Sequence, residues 1–181
     1  FLVCAGGLFS SVQFGLIVHL FPTVRLQGLD MTMAASMVSI TGVFSILGRL
    51  STGALLDFVP TKPVAIVAFL LPLPVMALFM LAGGSVPLLT LASAMLGFAA
   101  GSEIDVVAYL CSRRFDSRIF GTVYTLFQMT FAVTSSLGPL LASWRFDQTG
   151  SYIRYYIIAG SMIAAASVLI TFLPPPAQLD N

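Results

Sequence analysis

Six apolar runs follow one another along this chain, each long enough to cross a bilayer, and that succession constrains the fold more than any other feature. The runs are Phe1 to Phe21, Thr32 to Leu56, Pro63 to Gly83, Pro87 to Leu110, Phe120 to Ala142 and Tyr152 to Leu173. Crossing about 30 Å of hydrocarbon takes roughly 20 apolar residues as a helix. Lipid offers no water to satisfy the backbone, so each run must close its own hydrogen bonds, as an α-helix does. The joints PTVRLQGLD, DFVPTK, AGGSV, CSRRFDSRI and SWRFDQTGS are too short to hold a soluble domain. The expectation is therefore an all-α integral membrane bundle of six transmembrane helices filling residues 1–181 as one domain. A first helix triplet occupies 1–83, a second 84–173, and PPPAQLDN forms a short tail over 174–181 because its prolines cannot continue a helix.

Composition excludes the alternatives. Hydrophobic residues make up 58% of the chain and charged residues 8%, whereas soluble domains carry about a quarter charged residues to present a wetted surface. A net charge of +1 without any basic block leaves nucleic acid no electrostatic footprint. His19 is the single histidine, and Cys4 and Cys111 are far apart, so no group has metal-ligand spacing. With no Gly-rich phosphate loop and no Ser, His, Asp set, the sequence points to no cofactor, no metal and no enzyme. The partner it implies is the lipid bilayer. The chain opens on FLVCAGG with no polar lead, which reads as a first helix already under way in a protein that begins upstream.

Basic residues favour the cytoplasmic side of short loops. Arg49, Lys62, Arg113, Arg114 and Arg118 fall on the side of the second and fourth joints, and Arg25, Arg145 and Arg154 on the other. This balance places both ends of the segment in the cytoplasm, in a multi-pass protein of the cell (inner or plasma) membrane.

The junction GRLSTGALLDFVPTK carries the most pointed pattern, with Gly48, Arg49, Gly53, Asp57 and Lys62 in it. Arg49, Gly53 and Asp57 fall at i, i+4 and i+8, one stripe of a helix with charges at its ends and bare backbone between. Glycine lets a second helix approach to backbone contact in lipid, so the stripe asks for a close neighbour. The pattern has an echo: Gly48 precedes Asp57 by nine positions, and Gly138 precedes Asp147 by nine. Both pairs close the middle helix of a triplet, the arrangement of a 3+3 inverted repeat. Gly138 and Pro139 are expected to kink the fifth span.

Inside the fourth span stand two acids, Glu103 and Asp105, where an unpaired charge is costly. Asp105 shares a stripe with Gly101, Tyr109 and Arg113, and can accept from Tyr109, which suits a structural role, with substrate or proton handling by Asp105 and Tyr109 as the alternative. Glu103 points about 200° away and is the candidate for substrate or proton handling. Gln13, Tyr124 and Gln128 are further polar groups within spans; Tyr124 and Gln128, one turn apart, either line one cavity wall or bond neighbouring helices. Arg49 counts with the junction, so no basic residue is placed at mid-membrane, and an anionic substrate would find its counter-charge outside this segment.

The junction resembles the loop signature of the major facilitator superfamily, a glycine and small-residue helix end followed by an aspartate and basic residues. The basic cluster is reduced here to Lys62, as in the second copy of that loop. GSEIDVVAYLCSRRFDSRIFGTVYTLFQ and LGPLLASWRFDQTGSY are similar to stretches of bacterial permeases of that superfamily, including relatives of monocarboxylate and oxalate/formate porters. The resemblance implies the carboxyl-terminal half, helices seven to twelve, of a twelve-helix secondary active transporter. Its implied substrate is a small organic solute, in particular an organic anion, moved by alternating access with an absent amino-terminal half. It also implies that the loop is a conformational latch, with Asp57 near the start of the third segment and facing a helix end of that other half. A self-dimerising six-helix transporter and a structural membrane subunit are the alternatives.

Overall fold

The computed structural model describes residues 2–112 and 117–172. All regular structure in them is helical: α1 (Leu2–Val18), α2 (Leu20–Leu26), α3 (Met31–Phe58), α4 (Thr61–Leu70), α5 (Pro72–Leu81), α6 (Val86–Ser112), α7 (Ser117–Thr149) and α8 (Ile153–Thr171). The tail at 174–181 and the basic residues Arg113 and Arg114 lie outside the described residues.

Two of the expected spans are broken, and proline accounts for both. The α1 and α2 axes bend by 51° at His19, three residues before Pro22, which has no N–H for the Val18 carbonyl and crowds it with its ring. Residues 22–26, expected as a joint, continue as α2. Likewise Pro72 leaves the Ala68 carbonyl without its donor, and α4 gives way to α5 at Leu71; the two still make one apolar rod of 21 residues, Thr61–Leu81. By length and composition four helices can cross a membrane, and the bent pair α1–α2 would be a fifth. The 33-residue α7 is long enough but less apolar, for a reason taken up below. It also runs through Pro139 to Thr149, absorbing most of the joint expected after Ala142.

Helix ends follow local chemistry. The Asp30 side chain accepts from the Met33 N–H at 2.7 Å and starts α3, and Pro60 stops it, since the residue before proline avoids the helical region. Gly83 and Gly84 both take positive φ, +52° and +84°, in the reversal from α5 to α6.

Packing places α1 at the centre. Apolar round its circumference, it buries Ala5, Phe9, Val12 and Leu16 against α6, α7 and α8, as a helix enclosed by others must. The most extensive contacts are α3 with α6 and α1 with α7. Both run along small residues. A Cβ added to Gly97 would overlap the Thr41 carbonyl, one on Gly101 the Ser45 carbonyl, and one on Gly48 the Phe98 carbonyl. Between α1 and α7, a Cβ on Gly138 would overlap the Ser11 carbonyl. Such seams bring backbones together where lipid supplies no hydrophobic drive. Hydroxyl bonds add to them, Ser10 to Thr134 at 2.8 Å and Thr52 to Ser102 at 2.8 Å, and an amide bond from Gln13 Nε2 to the Leu96 carbonyl at 2.9 Å ties α1 to α6.

Candidate functional site

The α3–α6 seam delivers a charge pair. Arg49 Nε lies 3.8 Å from Asp105 Oδ2. Gly101, one turn before Asp105, makes the approach possible, because a Cβ there would sit 2.8 Å from the Arg49 backbone nitrogen. Arg49 is nine residues from the end of α3 at Phe58, about 13 Å at 1.5 Å per residue. It is therefore a charge within a membrane-length helix rather than a loop residue, because α3 runs on until Pro60 stops it. Asp105 thus has an ionic partner on α3, Arg49, in addition to the neighbour expected on its own helix, Tyr109. Tyr109 is half-buried one turn on.

The pair is loosely held. Its separation is near the long limit for an ion pair, and the two side chains keep 55% and 29% of their surface. Beside it opens a cavity of about 330 Å³ lined by Ser45, Ile46, Arg49, Leu50, Ala100 and Gly101. The guanidinium fork matches a carboxylate in two-point geometry, so Arg49 can exchange Asp105 for another carboxylate that enters this space.

The rest of the junction motif separates. Gly48 is the glycine with a close neighbour, the Phe98 backbone, whereas a Cβ on Gly53 meets nothing within 4 Å. Arg49, Gly53 and Asp57 share one exposed face of α3. Asp57, expected near the start of the third segment, is the penultimate residue of α3 and has no partner among the described residues; Lys62 is exposed in the first turn of α4.

Polar stripes extend the exposed face. On α3, Ser36, Ser39, Gly42, Arg49 and Gly53 are exposed in helical register, and on α7 so are Thr122, Thr125, Gln128, Ala132 and Ser136. The Thr, Gln and Ser of this stripe lower the apolarity of α7. Tyr124, half-buried, stacks on Phe120 with ring centres 5.7 Å apart. Glu103 lies on another side of α6, 2% exposed, its Oε1 without a hydrogen-bond partner among the described residues. Gln13 is fully buried; its amide nitrogen is bonded and its Oε1 is not. Gly138 packs on Ser11 and Gly15, with Pro139 half-exposed beside it. Among the described residues no three His, Cys, Asp or Glu side chains cluster as metal ligands.

A family model, the Major Facilitator Superfamily, matches residues 3–181. The chain belongs to the Major Facilitator Superfamily. As a member it is a multi-pass membrane protein. It is similar to monocarboxylate transporter 13 of Rattus norvegicus, at 32% identity over 163 residues, covering 87% of this chain and 37% of that protein. The same transporter of Bos taurus is 30% identical over the same shares. Monocarboxylate transporter 12 of Rattus norvegicus is 29% identical, over 87% of this chain and 33% of the relative. The chain thus spans about a third of the length of the curated relatives it matches.

Reading for motifs passes over one polar node of the superfamily member. His19, at the bend between α1 and α2, places Nδ1 2.8 Å from Tyr152 Oη and Nε2 3.1 Å from the Pro139 carbonyl, with Ser143 Oγ at 3.3 Å. The signal available in the sequence was a histidine inside an apolar run three residues ahead of a proline.

Proposed function

We propose that the chain is the carboxyl-terminal half of a secondary active transporter that carries small organic anions, monocarboxylates in particular, and that Arg49 is the carboxylate anchor of this half. The observation that carries the reading is Arg49 itself, a half-exposed guanidinium within a membrane-length helix, held at 3.8 Å by Asp105 and bordering a cavity. Membrane-embedded arginines are expensive and mark substrate paths or buried pairs. Asp105 occupies the guanidinium when no substrate does, and the substrate carboxylate replaces it. The names of the relatives, monocarboxylate transporters 12 and 13, favour this class.

The exposed polar stripes of α3 and α7, with Gln128 and beside it Tyr124, form the wall of the path, facing an amino-terminal half of similar size. Asp57 and Lys62 act as the latch against that half. Glu103, buried with a free oxygen, is the proton-handling group. Its acid form hides its charge when the path closes. Six crossings in a 3+3 inverted repeat organise the bundle, residues 1–83 against 84–173, with α7 as the fifth crossing. The pairing of helices supports this: the second crossing (α3) packs on the fourth (α6) as the fifth (α7) packs on the first (α1), the relation an exchange of triplets produces. Both ends of the segment face the cytoplasm of a cell whose plasma membrane holds the protein.

The reading is tested by uptake of labelled monocarboxylates, acetate to pyruvate, into proteoliposomes. Arg49→Gln lowers uptake at least tenfold, about 1.4 kcal/mol of lost binding, and Arg49→Lys restores only part because it loses the two-point fork. Uptake of monocarboxylates unaffected by Arg49→Gln refutes the anchor.

A further inference from the structure

Two proline-weakened helices meet at one imidazole. Pro22 removes a backbone bond from the α1–α2 rod just beyond His19, and Pro139 removes one from α7. His19 then bridges them, with Nε2 against the Pro139 carbonyl and Ser143 Oγ, and Nδ1 against Tyr152 Oη at the start of α8. A carbonyl only accepts, so Nε2 bears a hydrogen. In the neutral ring, Nδ1 is then the acceptor of the Tyr152 O–H. Burial and the nearby Asp147 carboxylate push the Tyr152 phenol up from its ordinary value, so it keeps that proton and stays a donor.

We infer that His19 is a proton-responsive clasp, a positioning residue that ties the bent segment α2 to α7 and α8, and that taking up a second proton tightens it. This rests on reading the chain as one wall of an alternating-access transporter. Histidine is the side chain that changes charge between about pH 5 and 8. With both nitrogens protonated, the bond to the Pro139 carbonyl becomes charge-assisted, roughly twice as strong as a neutral one. Tyr152 Oη turns from donor to acceptor and the contact survives. The new charge sits at the carboxyl end of α1, where the helix dipole favours a cation. The surrounding ionisable groups are of both signs. Tyr152 faces it from the residue before α8, and Asp147 acts on Tyr152 from α7. Of the nearby cations, Arg25 of α2 is turned to the Leu29 carbonyl at 2.8 Å, and Arg145 of α7 lies over Trp144 and bonds Gln148. Arg154 is exposed on the first turn of α8. Because α1 is the central helix, the clasp sets how freely the bent end of the bundle yields during the cycle.

The test is hydrogen exchange on the purified protein in nanodiscs at about pH 5 and about pH 8, corrected for intrinsic rates, over segments 19–26 and 139–147. Wild type gains roughly fivefold protection in acid, the difference between a neutral and a charge-assisted bond. His19→Gln can keep the neutral bonds but cannot titrate, so it shows no such gain, while Tyr152→Phe retains it through Pro139. Nitrogen NMR of the labelled ring in wild type reads the neutral tautomer directly and gives Nε2–H. A flat wild-type profile, the same gain in His19→Gln, or an Nδ1–H tautomer overturns the clasp. Since exchange needs no substrate, failure of monocarboxylate uptake would sink the transport reading and leave this result standing.

Discussion

At the scale of single residues, the role proposed for Arg49 and Asp105 makes a charge pair a site instead of a strut. An exposed pair is worth about 0.2–1 kcal/mol, which a substrate carboxylate can outcompete. Removing the internal competitor with Asp105→Asn therefore lowers the apparent KM for monocarboxylate by up to about fivefold while slowing turnover, because Arg49 no longer has a partner to return to. Transport kinetics in proteoliposomes check both parts. Glu103 poses the opposite problem, a buried carboxyl with one oxygen unmet. An unmet buried group costs about 1–3 kcal/mol, so the acid burdens stability, and the proposed proton handling accounts for its presence. Glu103→Gln leaves thermal stability unchanged or raised and flattens the pH profile of uptake; a melting temperature lowered by several degrees with the profile intact would show the acid to be structural. Both acids were legible in the sequence as expensive residues inside a span. Which one faces Arg49 was not, because that depends on the rotation of α6 against α3.

At the scale of helices, glycine acts through what lies opposite it. Gly101 and Gly53 belong to the same class of residue in the sequence, yet one abuts the Ser45 carbonyl and the other faces open space. Gly101→Ala thus forces α3 and α6 apart and costs about 1–3 kcal/mol as overpacking does, with loss of uptake through the displaced Arg49–Asp105 pair. Gly53→Ala adds helix propensity worth up to about 1 kcal/mol and leaves the fold intact. Thermal unfolding in detergent separates them, and equal melting temperatures would contradict the seam. The existence of the helices followed from run length and their stops from Pro60 and the Gly83–Gly84 turn. The breaks at His19 and Leu71 also had a visible cause in Pro22 and Pro72, but whether a proline ends a helix or lies within a continuous one, as Pro139 does in α7, depends on what neighbouring helices offer the freed groups.

At the scale of the whole molecule, the proposed six crossings require the chain to alternate sides of the membrane. Cysteines introduced at Gln148 and Lys62, with Cys4 and Cys111 replaced, react with impermeant reagents from opposite sides. Labelling from the same side would break the six-crossing topology. Membership of the Major Facilitator Superfamily was legible from GRLSTGALLDFVPTK, since a motif that must turn a chain between two spans is confined to a few consecutive residues. The sequence by itself determined the lipid environment, the helical class and the approximate rods, because those follow from local chemistry: apolar length, proline, glycine and the cost of bare peptide groups in hydrocarbon. Only the tertiary structure decided that Arg49 meets Asp105, that Gly48 and not Gly53 receives a neighbour, and that His19 joins three segments. Such contacts join residues 50 or more positions apart, and they depend on helix rotation and close approach, which no spacing along a single rod encodes.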